Sequence, residues 1–284
     1  MSVKQAWSAG FWERVRARAE AALAEGAMHS FECELEIVED GGVDFVLRRA
    51  THFPKGETSA GRTEAAPKLP ANPFLSPEPA LVVEPLGDTH LAMLNKFSVL
   101  REHLLVVTRT FVDQRAPLDL ADFTALSQVM DGVDVLAFFN GGREAGASQG
   151  HKHLQLVTLP LSPRRAVPMT ALLEPGGARA PFTHAFVTLA PEDLARPEIL
   201  LAKFQAASRE ARVGAGAYNM VLMREGVLVV PRRRDRVADV SINALAFAGS
   251  LFVRDAAHRD RLLATGLMQA LVAVTSEHVT PSSR

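Results

Sequence analysis

His151, His153 and Gln155 occupy alternate positions in the segment His-Lys-His-Leu-Gln-Leu-Val-Thr-Leu. Alternate side chains of an extended strand share a face, so these three hydrogen-bonding groups point one way, about 7 Å apart, while Lys152, Leu154 and Leu156 point the other. Directly upstream lie Gly141, Gly142, Gly146 and Gly150, with Ser148 and Gln149 among them. Glycine lets backbone N–H groups approach an anion closely, and Ser and Gln add donors. Loop and histidines together therefore describe a phosphate-binding pocket. A neutral imidazole in such a pocket can attack phosphorus. Two other readings fit the His-x-His pair: zinc, with His103, His90 or a carboxylate as third ligand, and a structural pair hydrogen-bonded in a core. Neither requires the glycine loop, which shifts the weight toward phosphate chemistry.

These residues need a strand, a loop and a scaffold, and the rest of the chain supplies patterns for all three. Asp134 to Phe139 reads as the strand before the loop, and His151 to Leu159 as the strand after it. Leu81 to Glu84, Leu91 to Phe97 and His103 to Thr108 read as further strands. Leu35 and Ile37, then Val43, Phe45 and Leu47, alternate on either side of Glu39-Asp40-Gly41-Gly42, the pattern of a hairpin. The first 25 residues space Trp7, Phe11 and Val15 as an amphipathic helix closed by Gly26. Asp119 is an N-cap for a helix holding Leu120, Phe123, Leu126 and Met130, ended by Gly132. In the second half we read a strand over 184–189, a helix over 191–211 and a hairpin over 218–230 turning at Glu225-Gly226. A strand over 242–253 and a helix over 256–274 follow. Residues 51–79, rich in proline, show no period and read as a long irregular segment. Helices set apart from hairpin-linked strands predict an α+β fold with a mainly antiparallel sheet.

The chain has 284 residues, 48% hydrophobic and 22% charged, and 31 basic against 32 acidic residues leave a net charge of −1. That balance offers no long-range attraction for nucleic acid or an anionic membrane. Arg232-Arg-Arg-Asp-Arg236, with no aromatic residues interleaved, reads as a solvated turn after a strand, with phosphate contact as the alternative. Phe138 and Phe139 read as core filling. The single cysteine, Cys33, forms no internal disulfide and supports no thiolate zinc cluster. The amino terminus lacks the pattern of a secretory signal, and the longest uncharged apolar runs, 213–223 and 243–253, are about half the ~20 residues of a spanning helix. A cytoplasmic protein is expected.

The run Asn140-Gly-Gly-Arg-Glu-Ala-Gly-Ala-Ser-Gln-Gly-His-Lys-His-Leu-Gln155 resembles the signature of the ATP adenylyltransferase family, the diadenosine tetraphosphate phosphorylases of the histidine triad superfamily. Further blocks resemble the family in its order: Asn72-Pro-Phe-Leu75, Leu94-Asn-Lys-Phe97, Glu102-His-Leu-Leu-Val-Val-Thr108, Tyr218-Asn219, Leu228-Val-Val-Pro231 and Ser241 to Gly249. The resemblance implies a histidine-triad-like core over 1–165, including the amino-terminal helix, and a carboxyl-terminal α+β region over 166–284 packed on it.

It also implies roles. His153 falls on the nucleophile that becomes adenylylated, His151 on its supporting neighbour, and Gln155 on the position where transferases carry glutamine and hydrolases usually histidine. Asn140, Gly146, Ala147, Ser148 and Gln149 match phosphate-contacting positions. Asn95 and Lys96 match a substrate-contacting pair, and Asn243, Ala244 and Leu245 a further contact block. Ser250 and Arg254 stand where relatives commonly show methionine and lysine. Lys55 falls on a substrate lysine of the proline-rich segment, with Lys68 as competitor. The implied ligands are diadenosine tetraphosphate, ATP, ADP and phosphate, with magnesium travelling on the nucleotide and no dedicated metal site. The alternatives are another histidine-triad nucleotidyltransferase, a dinucleoside polyphosphate hydrolase, or a nucleotide-binding sensor without turnover. Oligomeric state is not implied.

Overall fold

The computed structural model describes residues 3–31, 33–50, 72–100, 102–130, 132–173 and 179–275. The chain opens with helix α1 (Val3–Ala24), followed by strands β1 (His29–Ser30), β2 (Cys33–Asp40) and β3 (Val43–Ala50). Strands β4 (Val82–Leu86), β5 (His90–Leu94), β6 (Phe97–Ser98) and β7 (Leu104–Thr108) precede helix α2 (Leu120–Met130). Strands β8 (Val135–Gly141) and β9 (His153–Thr158) flank the glycine loop. Helix α3 (Thr170–Leu173), strand β10 (Ala185–Thr188), helix α4 (Pro197–Glu210) and the hairpin β11 (Tyr218–Met223) and β12 (Gly226–Pro231) come next. Short strands β13 (Arg236–Val237) and β14 (Val240–Ser241), then β15 (Ser250–Val253) and helices α5 (Ala256–Thr265) and α6 (Leu267–Thr275), complete the described chain.

Eight strands form one antiparallel sheet in the order β10-β12-β11-β8-β9-β7-β5-β4. The fold is α+β, as expected. The strict alternation of strand residues sorts them into two cores. Val135, Ala137 and Phe139 of β8 join Leu154 and Leu156 of β9 on the face covered by α1, α2 and α4, where Phe11, Trp12, Phe123, Leu126 and Phe204 are buried. The Trp12 indole donates to the carbonyl of Val129 at 2.8 Å, fixing α1 on α2. On the opposite face Leu136, Phe138 and Val157 pack with Phe45, Phe247, Leu262 and Leu271. His153 and Gln155 share this second face, because period two places them with Val157. A smaller sheet, β15-β3-β2, covers it; β15 runs parallel to β3, and the expected Glu39 to Gly42 hairpin joins β2 to β3.

Several elements differ from the sequence reading. Residues 242–253 are not one strand. Asn243 accepts from the Leu245 N–H and caps a 3-10 helix, Ala244–Ala248, leaving only Ser250–Val253 extended. Gly249 separates the two at φ 94°, a left-handed geometry that favours glycine, so a short apolar run read as strand is mostly helical turn. The expected helix over 256–274 breaks at Gly266, φ 85°, into α5 and α6. The helix expected from 191 begins at Pro197, after a 3-10 turn at Asp193–Ala195. Pairing of Met223 with Gly226 sets the β11–β12 turn at Arg224-Glu225, one residue earlier than expected. Lys55 and Lys68 lie outside the described residues. No helix among the described residues is long and apolar enough to cross a membrane.

Candidate active site

Strand β9 starts at His153, and His151 precedes it in an isolated antiparallel bridge with Asp113. The His153 Nδ1 lies 2.8 Å from the carbonyl oxygen of His151. A carbonyl only accepts, so Nδ1 carries the proton and Nε2 keeps its lone pair. No hydrogen bond occupies that Nε2 among the described residues. His151 is the opposite tautomer: its Nε2 donates to the Thr108 carbonyl at 2.8 Å, and its Nδ1 accepts from Asn72 Nδ2 at 2.9 Å. Phe74, brought in by the Asn72-Pro-Phe turn, packs its ring 5.6 Å from His151 and 5.2 Å from His153. His153 is 4% exposed.

A second relay fixes Gln155. Asn95 Oδ1 accepts from the Phe97 N–H at 3.3 Å, which turns its Nδ2 toward His103 Nδ1 at 3.1 Å. His103 Nδ1 must then accept, so Nε2–H donates to Gln155 Oε1 at 2.9 Å. The Gln155 amide is thereby oriented with its NH₂ unoccupied among the described residues. Of the three imidazoles, only His153 offers a vacant lone pair. Joint zinc binding would require breaking the Asn72 and Asn95 bonds, and no cluster of three potential metal-ligating side chains occurs among the described residues.

Burial pushes both His103 and His153 down to about 4, from an ordinary value of 6.5. Both are therefore neutral at pH 7. Between these two values the unfolded chain binds protons that the folded chain refuses, so stability is lost as pH falls through this window. From pH 6.5 to pH 5 the loss is on the order of 1–2 kcal/mol per histidine. The urea midpoint is expected to drop over that interval, and a flat midpoint would contradict the neutral assignment.

The glycine loop is held from behind. Asn140, 2% exposed, accepts with Oδ1 from Asn219 Nδ2 at 2.8 Å and from the Ala244 N–H at 2.9 Å. Gly146 takes φ 89°, and a Cβ there would come within 3.0 Å of the Ile242 carbonyl, so only glycine lets the loop rest on Asn243. The loop and the 243–245 block, distant in sequence, are thus neighbours. Ala147 N–H bonds Gly142 O, Ser148 is exposed and Gln149 half-buried, so these donors lie near the surface.

Arg232 corrects the expectation of a solvated turn. Arg233, Arg234 and Arg236 are exposed, but Arg232 is 3% exposed and stitches the loop to its support. It donates to Asn219 Oδ1, to Ala145 O at 3.3 Å, and to Arg234 O and Ile242 O at 2.7 and 2.8 Å, over the face of Phe247. Burial pushes its guanidinium down to about 9, still charged at neutral pH. Sequence offered no sign of this, since all the arginines of the run look alike. Asn219, a lone amide in the apolar strand Tyr-Asn-Met-Val-Leu-Met, was visible by that contrast.

Other predicted positions are not drawn into these contacts. Lys96 Nζ pairs with Glu78 at 2.7 Å, both partly exposed, and Arg254 lies along Asp255 at 3.4 Å. Ser250, 4% exposed, accepts from Arg48 Nε at 3.0 Å, a bond that ties β15 to β3.

The profile of the Ap4A phosphorylase N-terminal domain matches residues 2–175, and that of the ATP adenylyltransferase C-terminal domain matches residues 178–277. The diadenosine 5',5'''-P1,P4-tetraphosphate phosphorylase 2 of Saccharomyces cerevisiae is 30% identical over 227 residues, covering 65% of this chain and 69% of that protein. The Protein APA1 of the same yeast is 26% identical over 221 residues, with coverage of 65% and 69%. The crystal structure of yeast Ap4A phosphorylase Apa2 in complex with AMP has the same fold, with a TM-score of 0.75 at 23% identity over 95% of this chain and 98% of that one. The complex of Apa2 with Ap4A gives 0.73 at 22% identity, over 93% and 97%.

Proposed function

Because the chain belongs to the Ap4A phosphorylase family, whose members are nucleotidyltransferases, we propose that it cleaves diadenosine tetraphosphate with inorganic phosphate to ATP and ADP, reversibly, by histidine-triad chemistry. The observation that carries this reading is the pairing of one vacant imidazole nitrogen, His153 Nε2, with one vacant amide donor, Gln155 Nε2, on adjacent alternate positions of β9.

In the first step His153 Nε2 attacks the phosphorus of an adenylyl group. The N–P bond forms as the P–O bond to the remaining polyphosphate breaks, and ATP leaves with that oxygen. In the second step a phosphate oxygen attacks the same phosphorus, the N–P bond breaks, ADP leaves and the neutral imidazole returns. Two in-line displacements give retention at phosphorus. The Nδ1–H bond to the His151 carbonyl stabilises the positive charge that the ring gains on attack. Gln155 donates to a phosphoryl oxygen without titrating, and the developing charge is assigned to the N–H groups of Ser148 and Gln149, since those of Gly146 and Ala147 bond within the loop. Asn95 serves through His103, orienting Gln155. Lys96, released from Glu78, would meet the polyphosphate as a point charge, and Lys55 is assigned the same kind of role. Asn243, Ala244 and Leu245 support Asn140, while Arg254, on leaving Asp255, would meet distal phosphates. Magnesium is carried on the polyphosphate and shields its charge.

The test is product analysis with diadenosine tetraphosphate and magnesium, with and without phosphate. ATP and ADP are expected only when phosphate is present. ADP without phosphate, or ATP with AMP, would make the chain a hydrolase, and no turnover would leave a binding protein.

A further inference from the structure

The β8–β9 ladder pairs Val135 with Thr158, Leu136 with Val157, Ala137 with Leu156 and Phe138 with Gln155, and there it ends. Two residues further in the same register, Asn140 stands opposite His153. The carboxamide of Gln114 lies between them. Its Oε1 accepts from the His153 N–H at 2.8 Å, while its Nε2 donates to the carbonyls of Asn140 at 2.9 Å and His153 at 3.2 Å. A side-chain amide offers the same donor and acceptor groups as a peptide, so Gln114 satisfies both strands while keeping them apart. It is 2% exposed. The backbone around it extends the grip: the Gln114 N–H donates to Gly150 O at 2.9 Å and the Lys152 N–H to Val112 O at 2.8 Å. These bonds fix the peptide between His151 and Lys152, whose carbonyl receives the His153 Nδ1–H.

We propose that Gln114 is a positioning residue for the nucleophile: its inserted carboxamide holds the Asn140 and His153 backbones at a fixed separation beside the glycine loop, and sets the backbone from which His153 presents Nε2. This rests on the nucleophilic role given to His153. Gln114→Leu, close in volume, removes all three bonds. Its kcat is expected to fall about 100-fold, as an ångström-scale misplacement does, with KM for diadenosine tetraphosphate within about threefold of the parent. Nitrogen-15 NMR of the histidines should show His153 as the Nδ1–H tautomer in the parent and as a mixture in Gln114→Leu.

Gln114→Glu supplies a second readout. A carboxylate there would face two carbonyl oxygens, whereas the protonated acid restores one donor and the acceptor. Its activity should fall as pH rises, from a level near the parent's at acid pH. The charged groups around this position are Asp113 and Arg115 on its own segment, Glu144 paired with Arg115, and the Lys152–Asp122 pair on the helix side of β9. An unchanged kcat per folded molecule with an unchanged tautomer in Gln114→Leu overturns the proposal. If that variant does not fold, a Gln114→Glu pH profile parallel to the parent's overturns it. If the parent does not turn over diadenosine tetraphosphate, the reading of the reaction fails, and the tautomer comparison still decides the role of Gln114.

Discussion

His153→Ala is expected to lower turnover about 10⁴-fold or more and to leave no covalent nucleotide on the protein. The neighbouring imidazoles offer no substitute. His151 spends both ring nitrogens on Thr108 and Asn72, and His103 spends both on Gln155 and Asn95. The fold should survive, because the variant gives up one hydrogen bond, worth about 1 kcal/mol, and the ring contact with Phe74, while the backbone bonds of His153 to Gln114 remain. Labelled diadenosine tetraphosphate, quenched before phosphate is added and mapped by mass spectrometry, separates the outcomes. An adduct on another residue, or turnover within tenfold of the parent, would remove His153 from its role.

The second large effect is on stability. Lys152, between the two histidines, points into the opposite core, where its Nζ lies 2.6 Å from Asp122 Oδ2 and 2.8 Å from the Pro117 carbonyl. The two side chains are 2% and 1% exposed. Burial by itself would raise the Asp122 carboxyl, but hydrogen bonds from His90 and Lys152 hold it below its ordinary value. Lys152→Met leaves that carboxylate uncompensated and is expected to cost about 3–5 kcal/mol, which in a chain of this length lowers Tm by about 5–8 °C. Adding Asp122→Leu should recover much of the loss, since no buried charge then remains, although His90 and the Asp119 N–H lose a partner. Thermal unfolding of the single and double variants checks this. A single variant as stable as the parent, or a double variant no better than the single, would mean that the pair is not a tightly coupled buried charge.

Lys152 and Gln114 also mark the limit of what the sequence made legible. Alternation placed His151, His153 and Gln155 on one face and Lys152 on the other, and that is what β9 and the two residues entering it show, because period two is a local property of an extended chain. The strands over 82–94 and 104–108 and the capped helix α2 were readable for the same reason. Gln114 was not, since it lies in an irregular stretch and its partners, Asn140 and His153, are 26 and 39 residues away. Arg232 was misread because a run of arginines gives no sign of which one turns inward. The run 242–253 was misread because apolar composition does not distinguish a buried strand from a buried turn of helix. His103 was noticed only as a possible metal ligand; its role in orienting Gln155 depends on an asparagine eight residues earlier folding back across a turn.

The large sheet has two natural edges, and both are guarded. β4 is interrupted by a bulge between Val82 and Glu84 and by Pro85, with Arg14 clamped on Glu84, while β10 is only four residues long. The seam between the two matched sequence profiles, at residues 175–178, corresponds instead to the β8–β11 ladder in the middle of the sheet, where Phe138 faces Val221 and Asn140 faces Asn219. Separation of the two regions would part this ladder and the β15–β3 pairing, and would leave β8 and β11 as new edges of the large sheet, each fully buried with no proline, bulge or charge to discourage pairing with another molecule. Each region thus covers an aggregation-prone edge of the other, so an insertion or cleavage between them is expected to be tolerated only while both ladders stay closed.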